Sequence, residues 1–541
     1  MARPENKPRR ISNFHPDVKE ISVVPIFARA VAIPILSPSA GRPPRPAFMP
    51  RAMSATPMNR FDVSLDAWLF RALIALVALA PLPLGSNRPL PAALIALASG
   101  LLLALWAARA AVRGRLEVTS GLMLRLHVPV TLYLLVVLWV LVQWLPSPFP
   151  SWAHPIWEEA SAALGRELAP RITVNPDATL AALGGLLTYG AIFWLTLQLA
   201  VDPGRARQAR NAVVAIGGAY ALYGLFAHFG GMGWIDDRLV QTRPSDLSSS
   251  FVNRNSFATF AGLALLCTAA IYIERIRHIF SIKRPVRQKL SLAIETMVLH
   301  SGWITAAFGL TAVALLLTVS RGGILASLAG LAALVMLQLK SAGGPARGRA
   351  AIIMLILIVT GIVMMASGRG LIERIGQRGF VEDELRQTIF TTTIEAIRSA
   401  PWTGTGYGTY PDAIEAWRTN DPDIFMVWEK AHNTYLENAL ELGLPAAGAL
   451  CLAVLWLAMI AFRGVAERRR HRAFPALGVA ATLLVGIHAL VDFSLQIPAV
   501  AVLYAFILGL AVAQSAPRHG HDNTAPARGP ASAASHIPQK N

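Results

Sequence analysis

Runs of about 20 apolar residues recur along this chain, separated by short polar stretches. Each run is long enough to cross a bilayer core as one helix. They lie near 66–84, 89–108, 127–145, 178–200, 211–229, 256–273, 299–319, 322–339, 350–367, 445–462, 476–491 and 497–514. The pattern predicts an all-α, polytopic helical membrane protein with about twelve transmembrane helices. The stretch 21–40 is apolar too, but Pro25, Arg29, Pro34 and Pro38 interrupt it and exclude it as a span. Segment 1–64 reads as a disordered cytoplasmic tail, and 515–541, rich in Pro, Ala, Ser and His, as a second. Helices 1–9 then occupy 65–367 and helices 10–12 occupy 445–514, with a long outer loop, 368–444, between helices 9 and 10. Loops of that length are usually functional. The N-terminus has no signal-peptide pattern, and Met49, Met53 and Met58 offer alternative starts that would remove most of the tail.

Composition narrows the class further. Of 541 residues, 54% are hydrophobic and 15% charged, and the mean hydropathy is +0.48. An average soluble domain is roughly 25% charged. Soluble multidomain, disordered and coiled-coil classes are therefore excluded. Cys267 and Cys451 both sit in apolar runs and cannot build a disulfide framework or a cysteine metal site. The chain carries 49 Lys and Arg against 31 Asp and Glu, a net charge of +18. Alone, that balance suggests nucleic acid. Its distribution argues otherwise. With both termini and alternate loops placed in the cytoplasm, that side holds most of the basic residues, and the outer loops carry an acidic excess. The charge is a topology signal and a contact with the lipid bilayer surface, and no nucleic-acid partner is expected.

Four polar clusters map to the outer side, where charges near a bilayer call for a reason. The first is Ser320-Arg321-Gly322-Gly323, between two apolar runs with almost no loop. Its guanidinium either presents a donor fork to a phosphate or snorkels to the headgroups. The second, Asn253-Arg254-Asn255-Ser256, opens the sixth span. One Asn or Ser suffices as a helix cap, and the rest suit anion binding at a helix N-terminus. The third is His432-Asn433-Thr434-Tyr435-Leu436-Glu437, which reads as the start of a short helix, 433–442, stopped by Gly443 and Pro445. His432 at its N-terminal end either acts as a general base or merely caps and pairs. The fourth runs from His488 to Asp492, with the aspartate either orienting a partner or closing a helix end. Gly404-Thr405-Gly406-Tyr407-Gly408 looks like a nucleotide loop, but no strand precedes it, and a tight turn is the expected use. Asp421-Pro422-Asp423 is one weak D-x-D, where proline favours a turn.

These clusters, in this order, resemble the O-antigen ligase and O-antigen polymerase superfamily. The resemblance rests on Asn253-Arg254-Asn255, Ser320-Arg321-Gly322, Arg386 through Pro401 to Gly404 and Gly406, His432-Asn433-Thr434-Tyr435-Leu436, and Gly443-Leu444-Pro445. It spans roughly residues 65–515. It implies glycan transfer at the periplasmic face of a bacterial inner membrane, with no cofactor and no metal. The implied donor is a polysaccharide on undecaprenyl pyrophosphate. The implied acceptor is a sugar hydroxyl of lipid A–core, of another glycan, or a protein. The family's arginine and histidine positions fall on Arg321, Arg386 and His432, while Arg254 matches one branch only. Residue chemistry agrees independently. A departing pyrophosphate needs cations where charge develops, which Arg321, Arg254 and Arg386 can supply, and an attacking hydroxyl needs a base, His432. Ser320, Asn255, Asn433, Tyr435, Glu437 and Asp492 are the expected positioning and substrate-binding groups, with Glu437 a rival base. A polymerase, a protein O-oligosaccharyltransferase and a lipid-linked glycan transporter are the alternatives to a ligase.

Overall fold

The computed structural model describes residues 60–516, except 83, 115, 231–245, 282–283, 299–300, 341–378, 418–427 and 469–470. Residues 1–59 and 517–541 of the two expected tails, the span at 350–367 and Asp421–Asp423 therefore lie outside the described residues, while 60–64, expected in the first tail, begin a helix. The described chain is almost entirely helical, with one isolated bridge, Pro146 to Arg171, and no sheet among the described residues.

The helices are α1 (Arg60–Leu79), α2 (Pro89–Arg113), α3 (Ser120–Trp144), α4 (Ile156–Leu164), α5 (Pro176–Leu199), α6 (Pro203–Gly230), α7 (Arg254–Ser281), α8 (Val286–Val298), α9 (Gly302–Leu317) and α10 (Arg321–Lys340). They continue as α11 (Gly379–Ser399), α12 (Tyr410–Glu415), α13 (Thr434–Leu442), α14 (Leu444–Glu467), α15 (Ala473–His488) and α16 (Pro498–Ala513). Their limits follow local chemistry. Thr119 caps α3 by accepting from the Leu122 amide, and Asn175 caps α5 from the Ala178 amide ahead of Pro176. Gly114, at φ 62°, ends α2.

Seven described helices are long and apolar enough to cross a membrane: α2, α3, α5, α6, α7, α10 and α14. Three more, α9, α15 and α16, are apolar but only 16 residues long, about 24 Å against a hydrocarbon core of about 30 Å. Packing accounts for two of the short ones. Nearly every residue of α16 is buried in protein, and most of α15 is too, so neither has to match the lipid thickness alone. The central helix α7 is likewise enclosed, whereas α2 and α14 present Leu101, Leu105, Leu452, Leu455 and Met459 outward, as lipid-facing helices must. Small residues bring the inner helices close: Gly217 meets Ala264, and Gly478 meets Ala511.

Polar groups collect at the two ends of this bundle. At one end, Asp66 on α1 pairs with Arg109 and Arg113 on α2, Arg125 on α3 with Glu467 on α14, and Arg210 on α6 with Glu274 on α7. The positive-inside distribution expects this end in the cytoplasm. The candidate residues whose side chains are described gather at the opposite end.

Candidate active site

The site is built on helix ends. Ser320 starts α10: its Oγ accepts from the Gly323 amide at 3.3 Å and its carbonyl from the Ile324 amide at 2.9 Å. Arg321 is thereby the first helical residue. It is exposed and makes no ion pair among the described residues. Gly322 and Gly323 let this first turn press inward. A Cβ on Gly323 would collide with Ala258 on α7, and one on Gly322 would lie 3.1 Å from the His488 ring.

The N-terminus of α7 approaches from the other side. Asn253 accepts from the Asn255 amide at 2.7 Å, which is the capping expected of this cluster. The Asn255 side chain donates to Asp492 Oδ1 at 3.1 Å. Thr259, one turn later, meets His488 Nδ1 at 2.6 Å. Arg254 is ion-paired with Asp246. Its charge is already matched, in contrast to Arg321.

The histidine segment docks on the same helix end. Asn433 caps α13 by accepting from the amides of Tyr435 and Leu436, and its side-chain amide donates to the Leu490 carbonyl at 3.0 Å. The Thr434 hydroxyl donates to the Asp492 carbonyl at 3.0 Å, the Thr434 amide to Ala489, and Tyr435 Oη to the Gly486 carbonyl at 2.9 Å. His432 sits just before the cap, partly exposed, with its ring edge-on to Phe493 at 5.0 Å. Its φ is +51°, and that of Val319, just before Ser320, is +53°. Non-glycine residues in this region cost roughly 1–3 kcal/mol each and gather at functional sites. Here both stand immediately before the two turns that present Arg321 and His432.

Glu437 is fully buried. It accepts from Lys430 Nζ and from the Ala431 amide, each at 3.0 Å, so it holds the backbone leading into His432. Asp492 is also buried and accepts from Asn255 and Ser494; no arginine pairs with it among the described residues. Arg386 falls on α11, and its side chain lies outside the described residues.

Two groups at this end escaped the sequence reading. Gln143, buried at the end of α3, donates to the carbonyls of Thr403 and Glu441 at 2.8 Å and accepts from the Tyr407 amide. A glutamine inside an apolar run was its only signal. Glu441 is buried beneath the Gly404–Gly408 turn and accepts from the Tyr410 amide at 2.9 Å. Burial pushes its carboxyl up and the Glu437 carboxylate pushes it further, while Lys430 and the Gly408 and Tyr410 amides pull partly back, to about 8. The glycine turn itself is structural. Gly404, Gly406 and Gly408 have φ of 68°, 105° and 86°, and the turn straps α13 to residues 173–174 through bonds from Thr405 and Gly406 to α13 and from Val174 to Thr405.

Four segments far apart in sequence thus meet around His488 and Asp492: the start of α7, the start of α10, the start of α13 and the end of α15. Residues 306–451 match the family model for O-antigen ligase. The match takes in Arg321, Arg386, the glycine turn, His432 and α13, and leaves Asn253–Asn255 and His488–Asp492 outside it. It is consistent with a member of the O-antigen ligase and polymerase superfamily. With the apolar helices, it points to a bacterial membrane protein, and the O-antigen ligase family points to glycan and lipid-linked substrates. No curated protein matches the chain.

Proposed function

We propose that this protein is a glycosyltransferase of the O-antigen ligase type. It would move a polysaccharide from undecaprenyl pyrophosphate to an acceptor sugar hydroxyl at the periplasmic face of the inner membrane. The observation that carries this reading is the contrast between two arginines at one site. Arg254 is neutralised by Asp246, whereas Arg321 stands exposed and unpaired among the described residues at the start of α10. An unmatched guanidinium at a helix N-terminus is suited to a phosphate.

The roles follow from the chemistry. His432 takes the proton from the acceptor hydroxyl as its oxygen attacks the anomeric carbon. The bond from that carbon to the pyrophosphate oxygen breaks, and undecaprenyl pyrophosphate leaves with the electron pair. Arg321, with Arg386 from α11, stabilises the charge growing on that leaving group. Asn433 and Thr434 tie the histidine segment to α15, and Glu437 holds residues 430–431, so His432 is presented from a fixed backbone.

The test is glycan transfer by purified protein in proteoliposomes, with lipid-linked polysaccharide donor, candidate acceptors and EDTA. Product from wild type that His432→Ala loses would support the class and the base, and the acceptor used separates ligase, polymerase and protein O-oligosaccharyltransferase. Donor crossing the bilayer with no product formed would replace this reading with a transporter.

A further inference from the structure

His488 belongs to none of the roles above, yet it is the side chain on which the arginine turn rests. It ends α15 and is 2% exposed. Its Cδ2–Nε2 edge faces Gly322, where a Cβ would lie 3.1 and 3.2 Å from those atoms, and its Cε1 faces Gly323. On the far side of the ring, Nδ1 meets the Thr259 hydroxyl at 2.6 Å. That hydroxyl also bonds to the Asn255 carbonyl at 3.2 Å. A hydroxyl has one hydrogen and a carbonyl can only accept. Thr259 therefore donates to Asn255 and accepts from Nδ1–H, with the Cδ2–Nε2 edge of the ring turned toward Gly322.

We propose that His488 is a positioning residue for Arg321. The glycine pair allows the first turn of α10 to seat on the imidazole, and Thr259 fixes the rotation of that ring. The orientation of the Arg321 guanidinium toward a lipid pyrophosphate is then set from α7 and α15 together. This rests on the proposed function, because it assigns Arg321 to the pyrophosphate.

The experiment measures binding of two probes, undecaprenyl pyrophosphate and undecaprenol, to the purified full chain in nanodiscs. Thermal unfolding is recorded in parallel. For His488→Leu, the Kd for undecaprenyl pyrophosphate should rise about tenfold, as for a misplaced charge-assisted hydrogen bond, while undecaprenol binds as before. Thr259→Val should do the same to a smaller degree, and Thr259→Ser should restore wild-type binding. Gly322→Ala should weaken pyrophosphate binding too, because the new methyl meets both the His488 ring and Val491 Cγ2 at 3.1 Å, and His488→Ser, by removing the first of these contacts, should recover part of that loss. A merely structural role would lower thermal stability and leave the ratio of the two Kd values alone. That result, or a Gly322→Ala defect that His488→Ser leaves unchanged, overturns the inference. Loss of pyrophosphate preference in Arg321→Ala but in neither the His488 nor the Thr259 variants overturns it and leaves the proposed function standing. No preference for the pyrophosphate in wild type overturns both.

Discussion

The two ends of the helix bundle use their charges differently. At the end bearing Arg109, Arg125 and Arg210, each guanidinium is closed onto a carboxylate of another helix. Arg210 also lies over the Phe474 ring at 4.9 Å. At the other end the helices are joined by uncharged donors and backbone carbonyls: Asn433 to Leu490, Thr434 to Asp492, Tyr435 to Gly486, and Gln143 to Thr403 and Glu441. One end spends its charges on holding helices together. The other joins its helices by hydrogen bonds, among them Asn255 to the Asp492 carboxylate, closes Arg254 and Lys430 onto Asp246 and Glu437, and leaves Arg321 with no ion pair among the described residues. Under the proposed function, the difference predicts that loss of residues at the first end unfolds the protein and loss of Arg321 at the other silences it.

That separation can be broken by substitution. The largest effect belongs to His432→Ala, which should lower kcat for glycan transfer by about 10²–10⁴-fold with unfolding temperature unchanged. Arg321→Ala should follow at about 10²–10³-fold, again with normal insertion and stability. Unchanged transfer would remove Arg321 from the site. At the opposite end, Arg109→Ala strands Asp66 with only Arg113 beside it. It should lower stability by about 3 kcal/mol, read as thermal unfolding in detergent, while the folded fraction transfers glycan normally. Glu437→Gln keeps one acceptor oxygen where two are used. It should lower kcat about tenfold through His432 without altering the donor KM, and equal changes in both constants would break the assignment.

The smallest effect is one of pH. Burial and the neighbouring Glu437 carboxylate push the Glu441 carboxyl up from its ordinary 4.5 to about 8 in the folded protein. The folded state therefore binds the extra proton between those values, and stability falls as pH rises across that window and levels off above it. Glu441→Gln, neutral at every pH, should flatten that slope. Unfolding temperatures of wild type and variant measured from pH 5 to pH 9 would show it, and parallel profiles would exclude Glu441 as the source.

Much of this was legible in the sequence because bilayers are demanding solvents. Every expected span among the described residues falls on a helix, since a long apolar run has no other way to satisfy its backbone. The clusters at Asn253, Ser320 and His432 were legible because caps, paired glycines and a lone histidine are conspicuous beside apolar runs. Their mutual placement was not. Nothing near Thr259 indicates that it meets a histidine 229 residues away, and nothing near Glu437 shows that it faces inward to Lys430 rather than toward a substrate. Such pairings are set by how the helices pack, with Gly323 against Ala258 as one deciding contact. Arg254 shows the same limit from the other side: its motif suggested an anion site, and its partner is Asp246.

The seat beneath Gly322 also imposes an order on synthesis. Arg321 leaves the ribosome roughly 170 residues before His488, which at about 5–20 residues per second is on the order of ten to thirty seconds. During that interval the first turn of α10 has neither its imidazole support nor the Asp492 corner that later receives α7 and α13. The end proposed to be catalytic is therefore completed from the C-terminal side, by the last helix pair to be inserted. If the proposed function holds, a nascent or truncated chain ending after α14 would carry Arg321 and His432 into the membrane and still be inert toward lipid-linked glycan.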